Sequence, residues 1–223
     1  MIKRITLKKQ AYDYLYQALL EGQIEESRIY SEQYFAELLG ISRTPVREAV
    51  MQLSQEGFLQ IHPNKGFSLR RMKPKELEDL YTYRTALEGY CACQAAKKRT
   101  TSRARALLNK LRQQYQAQKA AYDIGEPVER WVELDFAFHG ALIDYLANEE
   151  FSASMERLRT RLVLLEKFSL VYCEGRMERV LEEHRSIIEA IASGQTDDVM
   201  DSLEGHFNRC RDVLITLQKE PKP

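Results

Sequence analysis

This chain carries no net charge. Its 33 Lys and Arg stand against 33 Asp and Glu, a balance that argues against indiscriminate binding to polyanions. Its four cysteines, Cys91, Cys93, Cys173 and Cys210, form no metal-type CxxC pair, and on a predicted helix Cys91 and Cys93 point in different directions. No apolar stretch approaches the roughly 20 residues of a membrane helix, and no signal peptide is recognisable. The expectation is a reduced, cytoplasmic protein that makes no membrane contact, with its cysteines serving as core filler. There is no HExxH, no internal repeat and no low-complexity linker. What remains is 223 residues, 44% of them hydrophobic, enough for cores in two modest domains.

Charge is unevenly spread. Residues 1–72 hold 10 Lys and Arg against 8 Asp and Glu, and the remainder holds 23 against 25. This slight asymmetry places any nucleic-acid contact at the N-terminal end. A first helix is predicted from Gln10 to Glu21, with Ala11, Leu15, Ala18 and Leu19 as its apolar side. Ser31 can cap a second helix that runs to Leu39, and Gly40 supplies the turn. Ser42 or Thr44 can cap a third helix ending near Gly57, with Pro45 tolerated in its first turn. Arg43 and Arg47 are four residues apart and share one face, while Val46, Val50 and Leu53 follow the other. A helix that buries one side and offers paired guanidinium groups near its N-terminus suits the DNA major groove. The short β-like runs 58–61 and 67–69 flank the turn His62-Pro63-Asn64-Lys65-Gly66, and Asn64-Lys65-Gly66 form a polar tip able to reach a phosphate or the minor groove. Three helices and a hairpin make a winged helix-turn-helix over residues 1–72.

After Met72 the pattern turns wholly helical, with segments predicted at roughly 74–98, 101–123, 127–147, 150–172, 176–193 and 195–218. The fold class is therefore mainly α, a winged helix-turn-helix followed by an all-helical bundle over 73–223. Three of the four histidines fall on apolar stripes of three different helices. His139 lies one turn after Asp135 on a stripe containing Trp131, Leu134, Phe138 and Leu142. His184 sits among Val180, Ile187 and Ile191, and His206 among Leu203, Phe207 and Cys210. Buried polar groups need partners, since leaving one unpaired costs about 1–3 kcal/mol. Two arrangements satisfy them: one divalent metal shared by all four, or separate hydrogen bonds in the core. Arg84 falls in the apolar stripe Leu77, Leu80, Leu87, Cys91. It either pairs with Glu88 one turn on or faces inward to hold an anionic ligand. Arg159 and Arg161 flank another stripe and are weaker candidates for the same cavity.

Together these residues resemble the GntR superfamily of transcription regulators, in the FadR subfamily that carries an FCD effector domain. The run Leu39-Gly40-Ile41-Ser42-Arg43-Thr44-Pro45-Val46-Arg47-Glu48-Ala49-Val50 is similar to the family's core motif. Asp135-Phe136-Ala137-Phe138-His139 resembles its Asp-x-x-Phe-His element, Glu183-His184-Arg185-Ser186-Ile187 its Glu-His-x-x-Ile element, and His206 fits its final helix. The resemblance implies a divalent metal held by Asp135, His139, His184 and His206, with zinc placed first and nickel, manganese or iron as alternatives. It implies a small carboxylate effector taken by Arg84, a homodimer on a palindromic double-stranded operator, and repression rather than activation. DNA contact would involve Ser42, Arg43, Thr44, Arg47, Asn64, Lys65 and Gly66. Gln33 stands where many members carry a basic operator-reading residue, and Glu26-Ser27 replaces the usual Pro-Gly before the second helix. Six bundle helices look more like the VanR-type branch than the seven-helix FadR type. Rival readings are a pure metal sensor, a metal-free regulator whose histidines bind ligand directly, and a metal-dependent enzyme fused to a DNA-binding domain.

Overall fold

The computed structural model describes residues 6–25 and 28–219; the Glu26-Ser27 departure lies outside the described residues. The chain divides into two compact units, residues 1–72 and 73–223.

In the first unit, α1 (Leu7–Leu20) begins three residues earlier than its apolar side requires, because the Thr6 hydroxyl accepts from Lys9 N–H and caps it. Ala11, Leu15, Ala18 and Leu19 are its buried residues. Ser31 caps α2 (Glu32–Leu39) through Tyr34 N–H, and Gly40 ends it in the left-handed conformation (φ 64°) that glycine adopts without strain. The third helix, α3 (Arg43–Gln55), buries Val46, Ala49, Val50 and Leu53 against α1 and α2. Its N-cap is Ser42 rather than Thr44, and the Ser42 hydroxyl makes no capping bond. The wing is an antiparallel pair, β1 (Leu59–His62) and β2 (Gly66–Leu69), with Leu59 opposite Leu69 and His62 opposite Gly66. Tyr30 bridges to Phe67 as a short third edge, its N–H donating to Phe67 O at 2.7 Å and its carbonyl accepting in return at 2.9 Å. Gly66 makes this approach possible. A Cβ there would lie 2.0 Å from Tyr30 O, on a backbone with φ 126°. Tyr30, Phe35 and Phe67 pack their rings beneath the wing.

The second unit has six helices among the described residues: α4 (Pro74–Lys97), α5 (Ser102–Asp123), α6 (Val128–Asp144), α7 (Glu149–Tyr172), α8 (Arg176–Ser193) and α9 (Thr196–Lys219). The sixth helix of the chain, α6, stops at Asp144, short of the predicted 147, in a turn where Ala147 takes φ 50°. Packing runs α4 along α9, α5 along α6 and α8, and α6 along α7. Gly89 lets α4 approach α9 closely; a Cβ there would sit 2.7 Å from Met200 Sδ. Cys91 and Cys210 are buried in this core, and all four cysteines are free. No described helix is long and apolar enough to cross a membrane.

Candidate metal centre and nucleic-acid interface

Burial separates the polar residues of the bundle sharply from its surface. Asp135, His139, His184 and His206 are each at most 5% exposed. Their helices α6, α8 and α9 bring the three histidines to one point, where a nitrogen from each lies within 4.8 Å of the others. Asp135 Oδ1 is 3.5 Å from His184 Nε2, and Oδ2 is 3.8 Å from His139 Nε2. Neither of those two Nε2 atoms has a hydrogen-bond partner.

The other ring nitrogens are all engaged. His139 Nδ1 donates to Glu88 Oε2 at 2.6 Å, His184 Nδ1 to Gln118 Oε1 at 2.8 Å, and His206 Nδ1 to Glu183 Oε2 at 2.6 Å. Carboxylate and carboxamide oxygens accept only, so each proton sits on Nδ1 and each Nε2 keeps its lone pair. Gln118 also turns its Nε2 amide toward Asp135 Oδ1 at 3.5 Å, tying two helices to one carboxylate. Phe138 stacks flat on His184, 3.9 Å between ring centres, and fixes that ring's plane. This is the arrangement expected of outer hydrogen bonds that orient metal-binding imidazoles.

Electrostatics favours the neutral rings that a metal requires. Burial, reinforced by Arg84, holds His139 well below the ordinary imidazole range, and burial with its two neighbouring histidines does the same to His184. Burial lowers His206 as well, against the pull of Glu183. Burial pushes the Glu183 carboxyl up, but the bonds and charges of His206, Arg176 and Arg209 outweigh it and hold the group at about 2. Burial, with Glu166 nearby, raises Asp135 well above the usual carboxylate range. Among the described residues, the buried acids of the bundle are Glu88, Asp135, Glu166 and Glu183, and the buried arginines are Arg84 and Arg176. The orphaned nitrogens and the donor set fit a divalent transition metal.

Arg84 combines the two alternatives left open by its position. It donates through Nε to Glu88 Oε1 at 2.8 Å, yet the pair is buried, at 8% and 0% side-chain exposure. Its guanidinium also lies 4.4 Å from the Phe207 ring centre and reaches the wall of a cavity of about 340 Å³. Asp135, His139, Gly140, Met155 and Arg159 share that wall. Arg159 is more than half exposed and pairs with Glu156. Sequence reasoning missed Gln118, Glu166 and Arg176 altogether, named Glu88 only as a partner of Arg84, and named Glu183 only as part of a motif. Arg176 is 1% exposed and bonds Glu183 and Cys210 Sγ. Its position at the start of α8 carries no periodic signal, though Glu88 at four residues from Arg84 does.

In the first unit, Arg43 and Arg47 project from α3 with side chains 57% and 58% exposed. Both are clasped by Glu32 of α2. Arg47 Nε donates to its two oxygens at 3.2 and 3.0 Å, and Arg43 Nη2 reaches Oε2 at 3.5 Å. Gln33, also exposed, donates to Glu37 Oε1 at 2.7 Å, so its amide is engaged along α2. Ser42 and Thr44 are exposed at the start of α3, and Asn64 and Lys65 at the wing tip, with Asn64 at φ 62°. The first unit therefore presents a cationic helix N-terminus and a short polar wing.

Comparison with known proteins agrees with both units. Residues 7–69 match bacterial regulatory proteins of the gntR family, and residues 79–209 match the FCD domain. The chain is 26% identical over 213 residues to the uncharacterized HTH-type transcriptional regulator YdhC of Bacillus subtilis, covering 96% of this chain and 93% of that one. It is 29% identical over 189 residues to the Nta operon transcriptional regulator of Aminobacter aminovorans, covering 82% and 85%. A solved GntR regulator from Rhodococcus has the same fold, with TM-score 0.68 at 18% identity over 94% of this chain and 97% of that one. These relatives are regulators of transcription and not enzymes. This chain belongs to the GntR family of bacterial regulatory proteins, in the group whose DNA-binding domain is followed by an FCD effector domain.

Proposed function

We propose that this regulator is a dimeric repressor whose hold on DNA responds to a small carboxylate bound beside a metal. The observation that carries the reading is the pair of unpartnered Nε2 atoms on His139 and His184, aimed at Asp135 while each Nδ1 is locked by an acceptor. Asp135, His139, His184 and His206 would hold the metal, with zinc first and nickel, manganese or iron as alternatives. When bound, such an ion offers open coordination positions to a carboxylate oxygen. Arg84 supplies a fixed guanidinium in the wall of the adjoining cavity, which favours an organic effector over a signal consisting of the metal alone.

At the other end, each α3 would enter a major groove of a palindromic operator. Arg43 and Arg47 read guanine edges there, while Ser42 and Thr44 take phosphates at the helix N-terminus. Lys65 and Asn64, with the close turn at Gly66, bring the wing to the backbone or the minor groove, and Gln33 faces the same duplex from α2. An effector shifts this binding only by the difference in its affinity for the two states of the dimer.

The test is genome-wide mapping of binding sites in the cytoplasm of the host, followed by anisotropy titration on the mapped operator with and without chelator and carboxylates. Discrete palindromic sites released by one carboxylate in metal-loaded protein are expected. Purified protein that carries no divalent metal, or operator binding indifferent to both additions, would overturn the reading.

A further inference from the structure

Cys210 is buried, yet its surroundings are not those of core filler. It lies one turn after His206 on α9. Its Sγ is 3.8 Å from His206 Nε2, the ring nitrogen left free when Nδ1 bonds Glu183. Arg176 Nη2 donates to the same sulfur at 2.8 Å. A buried guanidinium directed at a sulfur favours its thiolate form. Of the three histidines, His139 and His184 have Nε2 atoms without a partner, and the Nε2 of His206 meets this thiol.

Donor spacing decides what the pair can do. Zinc holds an imidazole nitrogen at about 2.0–2.1 Å and a thiolate at about 2.3 Å, which sets the two donors about 3.6 Å apart at tetrahedral angles. The observed 3.8 Å asks for almost no movement. Glu183, His206 and Cys210 also lie within 4.8 Å of one another. A separate ion among those three is disfavoured, because Arg176 and Arg209 already bond Glu183, at 3.3 and 2.6 Å, and would repel a cation. That leaves the sulfur to share an ion with His206 Nε2. We propose that Cys210 is a fifth ligand of the metal, and that its thiolate turns the centre toward zinc or nickel and away from manganese. This assignment rests on the metal reading above. The thiol proton passes to solvent as the sulfur–metal bond forms, and Arg176 stays bonded to the sulfur. Asp135 and His139 line the cavity and Cys210 does not, so the side open to a carboxylate is undisturbed. The competing arrangement is a neutral thiol that donates to His206 Nε2 and takes no part in metal binding.

Absorption spectroscopy of the full chain loaded with cobalt(II) separates these cases, because cobalt substitutes for zinc and reports its donors by colour. Visible ligand-field bands are expected together with a thiolate-to-cobalt charge-transfer band in the near ultraviolet. Cys210→Ser, which is close in size, should lose the charge-transfer band and keep the ligand-field bands. Cys173→Ser should keep both, since that sulfur accepts from Arg179 away from the histidines. In competition titrations Cys210→Ser should lower the preference for zinc over manganese by at least about tenfold. Ligand-field bands alone in the wild type, or a charge-transfer band that survives Cys210→Ser, would overturn the thiolate assignment and leave the metal reading standing. A zinc-to-manganese ratio unmoved by Cys210→Ser would overturn the selectivity. A chain that takes up neither cobalt nor zinc would overturn the metal reading, and this proposal with it.

Discussion

Removing divalent metal should lower the melting temperature of the bundle, by an amount that follows from the site. His139 Nε2 and His184 Nε2 are buried lone pairs without partners, beside a carboxylate that burial drives toward protonation. At about 1–3 kcal/mol for each unsatisfied group, the pair leaves roughly 2–6 kcal/mol to be recovered when a cation accepts both. Mass action gives a comparable figure: about 2.7 kcal/mol at a free-metal concentration one hundred times the dissociation constant. For a domain of this size each kcal/mol moves the midpoint by roughly 2–4 °C, so a rise of about 5–11 °C is expected. The assay is calorimetry on chelated, dialysed protein with and without zinc, nickel, manganese or iron. Asp135→Asn should keep the fold and lose most of the rise. Substituting His62, which lies on the wing and bonds Ser68, should change nothing in it. A wild-type midpoint that moves by less than about 1 °C with every metal would refute the argument, because the two nitrogens would then have been satisfied some other way.

Four other outcomes are open to measurement. Gln118→Leu removes the acceptor of His184 Nδ1 and the donor to Asp135, and should weaken metal binding about 10–100-fold in a competition titration. Arg43→Ala should cost about 1–3 kcal/mol on the operator and relax base preference, whereas Lys65→Ala should weaken all sequences alike and reduce the salt slope by about one. Equal discrimination by wild type and Arg43→Ala would rule out base reading by that residue. Glu32→Ala should alter stability by no more than about 1 kcal/mol, since its pairs are exposed on the arginine side. The same change should narrow the affinity ratio between operator and scrambled duplex, by freeing two arginines that it now orients. Gly66→Ala places a methyl on Tyr30 O and should destabilise the first unit by about 1–3 kcal/mol in urea unfolding.

Much of the fold is legible in the sequence because its signals are periodic or local. The apolar stripes that place His139, His184 and His206 are the same stripes that build α6, α8 and α9, so locating the helices also locates the histidines. Gly40 and Ser31 mark α2 because left-handed turns and N-caps constrain residue type strongly. The residues that hold the site in place are harder to find. Gln118 reads as an ordinary polar residue in a polar helix, and Arg176 opens α8 where a solvated arginine is unremarkable. Their burial arises from elements that meet only in three dimensions, and no spacing along the chain encodes it. Asp144, likewise, ends α6 earlier than apolar periodicity suggests, because periodicity continues through a turn that the backbone does not.

Three acids do one kind of work in both units. Glu32 joins Arg43 to Arg47, Glu88 joins Arg84 to His139, and Glu183 joins His206 to Arg176 and Arg209. In each case a carboxylate on one helix fixes cationic or imidazole groups, and at least one of those groups lies on another helix. Such a residue contributes little through its own contact with the ligand and much through the geometry of its neighbours. Its removal should therefore leave the ligand's chemical class unchanged while loosening selectivity among members of that class. Glu88 is the sharpest instance, because it couples Arg84 to His139 through a single carboxylate. Glu88→Gln should lower metal affinity and carboxylate affinity together. If one falls and the other does not, Arg84 and His139 are positioned independently, and the carboxylate between them is packing rather than linkage.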